Sequence, residues 1–319
     1  MILCGKDSLD NIQVKISIEN TTYNSIQLPV VAYLINFAPL MSIRIISITA
    51  FSFLLSVFSS CSNYDKLLKS DDFGNKDEMA KKYYNEGNYA KALPLLDQLL
   101  TVNLGTTKEE EIRYYIAYCY YGQSQFLVSS ALFKNFFKTF PKSYRAEECL
   151  YMNAYSLYKA SPRFELDQST TYSALDEFQY FTDSYKKSER VLEANDLMDE
   201  LRAKLELKMY KSGELYYKTE NYLAAATTYE NLLRDFPETA KAEEISMQII
   251  RCYFNYAGLS IVCKKSERYD MAMQAYKNFI DRFPESDLLI LAKGLYDRSV
   301  SLKQKSEQEK INYNCDEQS

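Results

Sequence analysis

The sequence predicts an all-α protein built from stacked helix pairs, and three observations carry that prediction. Only 8 Gly and 7 Pro punctuate 319 residues, so turns are few and helices long. One short design recurs: "TFPKSYRAEE" at 139–148, "DFPETAKAEE" at 235–244 and "RFPESDLLIL" at 282–291, with "SYKKSERVLEA" at 184–194 as a copy lacking the proline. Its equivalent positions, Pro141, Lys186, Pro237 and Pro284, lie 45, 51 and 47 residues apart, the kind of period that marks stacked supersecondary units. Between these marks small and aromatic residues recur at helical spacing, as paired helices need in order to approach closely.

The first element stands apart from the array. Met41 opens "MSIRIISITAFSFLLSVFSSC", with one positive charge at Arg44, an apolar run from Ile45 to Phe58, then small residues and Cys61. That order belongs to a secretion signal, and the run is shorter than the ~20 residues a spanning helix needs. It resembles a bacterial lipoprotein signal, which implies cleavage after 60 and lipidation of Cys61, the first mature residue. Because a signal must be N-terminal, residues 1–40 are expected to lie outside the native product, through an error in the assigned start. Each buried CH₂ of an acyl chain contributes about 0.8 kcal/mol, so several chains on one cysteine hold permanently. Ser62 rather than Asp follows the cysteine, which by the same resemblance directs the protein to the outer membrane. Residues 61–73 are polar and tether-like.

Composition removes several functions. There is no His and no Trp beside 29 Tyr, so the common general base near neutral pH and the usual zinc ligand are both absent. A net charge of −5 lacks the basic footprint of a nucleic-acid binder. The 7 Cys are scattered without a CxxC pair, which gives neither a zinc ribbon nor a disulfide framework. Cys119, Cys149 and Cys252 fall in apolar helical contexts and read as core residues. No metal or cofactor is expected.

The array runs from about 74 to 304. "SGELYYKTENYLAAATTYENLLRDFP" at 212–237 is its clearest unit, with Gly213, Tyr216, Tyr222, Ala225, Tyr229, Leu232 and Pro237 at the marked positions. The first unit supplies Ala80, Tyr83, Gly87, Tyr89, Ala92, Leu96 and Leu99, and the second Ala117, Tyr120, Phe126, Phe133, Phe136 and Pro141. These patterns resemble tetratricopeptide repeats. The resemblance implies a superhelix of about five helix pairs plus a closing helix, expected at 286–304. A proline ends each second helix, and neighbours must stack because one pair cannot bury its own apolar face. Insertions at 161–171 and 260–270 lengthen the third and fifth units. Residues 305–319 read as a disordered tail. Tyr83, Tyr120, Tyr216 and Tyr229 occupy packing positions and are expected in the core.

A lipoprotein signal followed by five such units, with "YYNEGNYAKAL", "LYMNAYSLYKA", "ALDEFQYFTDSY" and "YYKTENYLAAATTYENLLRDFPET" in that order, resembles the BamD family, the lipoproteins of the outer-membrane β-barrel assembly machine. That resemblance covers roughly residues 52–300. It implies a non-enzymatic, lipid-anchored scaffold on the periplasmic side of the outer membrane, with the periplasmic domains of BamA and unfolded outer-membrane proteins as partners.

In tetratricopeptide arrays the first helix of each pair lines the groove. The stripe at i, i+4, i+7 reads Asp77, Lys81, Tyr84; Tyr114, Tyr118, Tyr121; Tyr151, Tyr155, Tyr158; and Tyr210, Glu214, Tyr217. Tyrosine gives rigid contact area at low entropic cost plus a hydroxyl for backbone groups, which suits a groove for extended substrate peptides. The same rings also suit packing between adjacent first helices, and both roles stay open. Lys81, Asn85 and Lys159 are candidates to hold a peptide carboxylate. For the BamA contact the resemblance points to the C-terminal units, where Arg202, Lys204, Lys208, Lys264, Lys265 and Arg268 offer positive charge. The rival readings are an adaptor of another cell-envelope machine, a SusD-like glycan binder and an enzyme. The second usually needs Trp and a longer chain, and the third has no motif to support it.

Overall fold

The computed structural model describes residues 61–313. The expectations for residues 1–40, for the signal peptide and for the end of the tail lie outside them. Twelve helices and no strand are present among the described residues, and no described helix is long and apolar enough to cross a membrane. The chain divides into two compact units at Lys69. In the first, the described part is helix α1, Cys61–Lys69, so the stretch read as a tether is helical over most of its length.

The second unit holds five helix pairs and a closing helix. The pairs are α2 (Phe73–Asn85) with α3 (Tyr89–Asn103), α4 (Lys108–Gly122) with α5 (Phe126–Thr139), α6 (Ala146–Ala160) with α7 (Ser169–Ser184), α8 (Val191–Lys218) with α9 (Tyr222–Asp235), and α10 (Ala242–Gly258) with α11 (Val262–Arg282). Helix α12, Leu289–Asn312, closes the series. Each helix packs on the next in chain order, and α12 also reaches α10.

Local chemistry sets each boundary. Helices α2, α4 and α8 end alike, with Gly87, Ser124 and Glu220 at φ 70°, 59° and 62°. The next residue sends its N–H back to the carbonyls of Tyr83, Tyr120 and Tyr216 at 2.8, 3.0 and 2.9 Å, the double-bonded left-handed helix stop. Four of the five second helices end on an aromatic residue, Phe140, Tyr185, Phe236 or Phe283, whose N–H bonds one turn back, and α3 ends on Leu104. Proline follows three of the four, and it disfavours helical geometry in the residue before it. The hydroxyls of Ser143, Ser188, Thr239 and Ser286 then accept the N–H groups of Arg145, Arg190, Lys241 and Leu288 at 3.0, 3.1, 3.2 and 3.0 Å, which aims the chain into the next first helix.

The core forms in packets. Phe133, Phe136, Leu150, Phe178, Phe181 and Leu201 belong to one; Tyr210, Tyr229, Leu232 and Ile245 to a second; Met247, Ile250, Phe279 and Ala292 to a third. Each large apolar side chain buried this way contributes about 1.5–3 kcal/mol. Small residues make the contacts possible: a Cβ on Gly213 would sit 2.5 Å from the Tyr229 ring, and one on Gly122 2.0 Å from Tyr89. Tyr229 is buried as expected, but Tyr83 and Tyr120 are only half-buried and Tyr216 is 41% exposed, so none of these three is a core residue.

Two boundaries differ from the sequence reading, and one helix is longer than its neighbours. The fourth first helix is 28 residues long and begins at Val191, because nothing between the two repeat marks breaks it. The fifth-unit insertion is largely helix, forming the first turns of α11 from Val262. Residues 305–312 are helical where disorder was expected. Their support comes from that same insertion: Ser266 donates to Glu307 at 2.9 Å, and Lys303 pairs with Asp270 at 2.7 Å.

Candidate functional site

The predicted tyrosine stripe assembles into a continuous aromatic ladder across α2, α4 and α6. Ring centroids step from Tyr84 to Tyr115 at 4.7 Å, to Tyr114 at 5.9 Å, to Tyr118 at 4.8 Å, to Tyr121 at 6.5 Å and to Tyr155 at 6.3 Å. Tyr155 then stacks on both Tyr151 and Tyr158 at 5.8 Å. Three of these seven contacts are edge-on, two are tilted and the two made by Tyr155 with Tyr151 and Tyr158 are stacked, and both edge-on and offset-stacked geometries are favoured by ring quadrupoles. All these rings are half-buried except Tyr151, which is buried.

The polar ends of the stripe tie successive first helices together. Lys81 on α2 donates to Glu111 on α4 at 3.1 Å. Tyr118 on α4 donates to Glu148 on α6 at 2.5 Å, Tyr158 on α6 to Glu200 on α8 at 2.5 Å, and Tyr210 on α8 to Glu244 on α10 at 2.8 Å. A second series runs through the turns: Ser143 donates to Glu110 at 2.5 Å, Thr239 to Glu206 at 2.6 Å, and Ser286 to Glu243. The acidic doublets that open first helices are therefore two-way staples. In α4, Glu111 binds backward and Glu110 forward; in α10, Glu244 binds backward and Glu243 forward.

Cations cover the same rings. Arg145 lies 4.6 Å from the Tyr114 centroid, Arg190 4.9 Å from Tyr151, and Lys241 4.1 Å from Tyr210. In each case the residue that begins one first helix caps a tyrosine of the preceding one. Burial, with the Glu148 carboxylate beside it, pushes the Tyr114 phenol up to about 12. The Tyr158 phenol also rises to about 12, chiefly through its hydrogen bond to Glu200 and then through burial. Tyr84, Tyr118 and Tyr151 rise too, by burial first. The ladder is thus a neutral surface with hydrogen-bonding edges. Burial opposes the charge on Lys81, but the hydrogen bond and charge of Glu111, with Asp77 adding, outweigh it and raise its pKa.

The remaining candidates separate. Asn85 is exposed at the end of α2, and Lys159 is exposed with its ammonium 5.4 Å from the Tyr155 ring. Cys61 opens α1. The six basic residues fall on two elements and in two roles. Lys204 donates to Ser161 at 2.8 Å, and Lys208 to the carbonyls of Phe164 and Leu166 at 3.1 and 2.8 Å. Both fasten the 161–168 loop to α8. Arg268 lies 4.1 Å from the Tyr256 ring and donates to Ser260 at 2.6 Å. Arg202 and Lys264 are exposed, each paired among the described residues with a neighbour on its own helix, Asp199 and Glu267. Lys265 is half-buried. Among the described residues no group of three metal-ligating side chains gathers.

Sequence reasoning missed the partners of the stripe: Tyr115, the glutamates and the cations at the helix starts. The signal for the glutamates was present, since "AEE" follows two of the proline marks and "EEE" opens α4. Read locally, those carboxylates only favour a helix N-terminus.

No curated protein matches the sequence. Among solved structures, the tetratricopeptide domain of P58(IPK) is 17% identical, covering 76% of this chain and 68% of that one, with a TM-score of 0.36. The TPR2AB domain of yeast Sti1, in a complex with pHSP90, is 10% identical, covering 72% and 98%, with a TM-score of 0.34. At these scores the likeness adds nothing to the helix pairing described above. The family model does more: it matches residues 77–268, from the first stripe residue into the first turns of α11, and so contains the whole ladder and every staple named above except that from Ser286 to Glu243. With more than half of its length matched, the chain belongs to the YfiO (BamD) family of outer membrane lipoproteins.

Proposed function

We propose that the protein is a lipid-anchored scaffold of the β-barrel assembly machine, facing the periplasm, which binds the periplasmic domains of BamA and receives unfolded outer-membrane proteins. The family match over residues 77–268 carries this reading. Acylated Cys61 is the anchor. The ladder from Tyr84 to Tyr158 is the substrate groove, since it offers half-buried rings and a neutral surface to segments rich in aromatic side chains. Asn85 and Lys159 are its exposed polar contacts. Lys81 would have to leave two carboxylates to join them. Of the basic residues, Arg202, Lys264 and Lys265 are the ones we assign to the BamA contact, because Lys204, Lys208 and Arg268 hold their own chain together. No catalytic step is part of this reading.

Detergent extraction of membranes from cells carrying the tagged protein, followed by mass spectrometry, tests it. BamA as the dominant companion is expected, reduced when Arg202→Glu and Lys265→Glu are combined without loss of helicity. A different envelope machine in its place overturns the assignment in favour of an adaptor elsewhere.

A further inference from the structure

The seam between neighbouring second helices occurs twice in comparable form, once closed and once open. Between α5 and α7, over α6, Lys134 pairs with Glu177, and the rings of Phe137 and Tyr180 meet at 6.1 Å. Leu150 fills the floor, and the remaining hollow measures about 290 Å³. Between α9 and α11, over α10, the corresponding cleft measures about 640 Å³.

The sequence accounts for the difference. Counting back from Pro141 and Pro237, Lys134 corresponds to Glu230; counting forward from the same prolines, Leu150 corresponds to Ser246. Counting back from Lys186 and Pro284, Glu177 corresponds to Ala275 and Tyr180 to Asn278. Three of the four side chains that bridge the first seam are thus replaced by ones that form no such bridge, and the fourth, Phe137, by the shorter Leu233. The open cleft has an apolar floor of Leu233, Ile249, Met271 and Phe279. On its rim, Asp270 and Glu267 already pair with Lys303 and Lys264. Glu230 accepts the Tyr253 hydroxyl at 2.7 Å and has no ion pair among the described residues. It stands where the closed seam carries the lysine of a salt bridge.

We infer that the α9–α11 cleft is a docking groove for an amphipathic helix of another protein, with apolar side chains on the Leu233–Phe279 floor and a Lys or Arg against Glu230. Charge decides the occupant: the lining carries Glu230, Glu267 and Asp270 against the single cation Arg282, which donates to the Pro237 carbonyl at 3.2 Å, and Glu230 inverts the charge of the closed seam's lysine, so an incoming cation supplies the missing pair. A third helix laid between two others with its apolar stripe inward is an established recognition mode. The groove lies on second helices and is independent of the tyrosine ladder, so it can hold or fail whatever the fate of the proposed function.

The test uses the full chain in detergent and a fluorescein-labelled synthetic helix, with leucines at i, i+3, i+4 and i+7 and lysines beside them. A twin peptide carries glutamates in place of the lysines. Anisotropy is expected to show binding of the basic peptide, weakened about tenfold or more by Glu230→Lys, which replaces an attractive charge pair by a like-charge one. Grafting the closed seam (Glu230→Lys, Ser246→Leu, Ala275→Glu and Asn278→Tyr together) is expected to abolish binding with helicity intact. If the graft fails to fold, Glu230→Lys alone decides. No binding to the native chain, equal binding of the acidic twin, or unchanged affinity in the variants overturns the inference. So does a dimer in sedimentation that the graft dissolves, which would assign the groove to a second copy.

Discussion

At the scale of single residues, the staples between first helices make sharp predictions. Tyr118 donates a short bond to a carboxylate that stays half-exposed, so Tyr118→Phe removes the donor while leaving Glu148 partly hydrated. The expected loss is about 1.5 kcal/mol, the low end for a hydrogen bond to a charged group, measured as a fall in the urea midpoint at unchanged slope. No change at all would mean the tie carries no weight. Two glycines separate close approach from backbone freedom. Gly213→Ala drives a Cβ into the Tyr229 ring and is expected to cost about 1–3 kcal/mol through overpacking. Gly87→Ala meets nothing within 4 Å, yet its φ of +70° taxes any side chain, at about 1–2 kcal/mol. Calorimetry on a third variant tells the two mechanisms apart: Tyr229→Leu should relieve Gly213→Ala and leave Gly87→Ala untouched.

At the scale of elements, helix α8 joins the first core packet to the second, with Leu201 in one and Tyr210 in the other. Its continuity is what couples them. Ala203 is exposed between these residues, and Ala203→Pro breaks the helix there without removing any core side chain, at a cost of about 3 kcal/mol or more. The expected result is two unfolding transitions in place of one, since stacked units depend on nearest neighbours. A single sharp transition would show that the packets are coupled by another route. Element existence was legible in the sequence because proline, small and aromatic residues repeat at fixed offsets. What stayed hidden has a common physical cause: the 260–270 insertion turned helical, and α12 outlasted Lys305 through contacts with residues distant in the chain. Ser266 and Asp270 support α12, and nothing in the tail's own composition announces them. For the same reason Lys204 and Lys208 read as free charges, although the loop they fasten lies about forty residues earlier.

At the scale of the whole array, the ladder gives the molecule a pH response that no single tie would reveal. Tyr114, Tyr158 and Tyr210 all have phenols held up at about 12 against an ordinary value of 10.0. Burial leads for the first and third, and the Glu200 hydrogen bond for the second. A raised pKa means that the folded state keeps its protons after the unfolded chain has begun to lose them. The stability this contributes is fully present below pH 10 and is lost as pH climbs through the folded values. Lys81, also raised, acts in the same direction from 10.5. Because these tyrosines sit on α4, α6 and α8, their ionisation releases ties along the array together rather than fraying one end. The urea midpoint is therefore expected to stay level up to pH 10 and to fall steeply between 10 and 12, with phenolate absorbance from the ladder rising only as helicity falls. Replacing Tyr114, Tyr158 and Tyr210 by Phe should flatten that fall while lowering stability at neutral pH, where the two lost carboxylate bonds still count. If phenolate forms fully while helicity holds, the hydroxyl–carboxylate ties do not bind the repeats to one another.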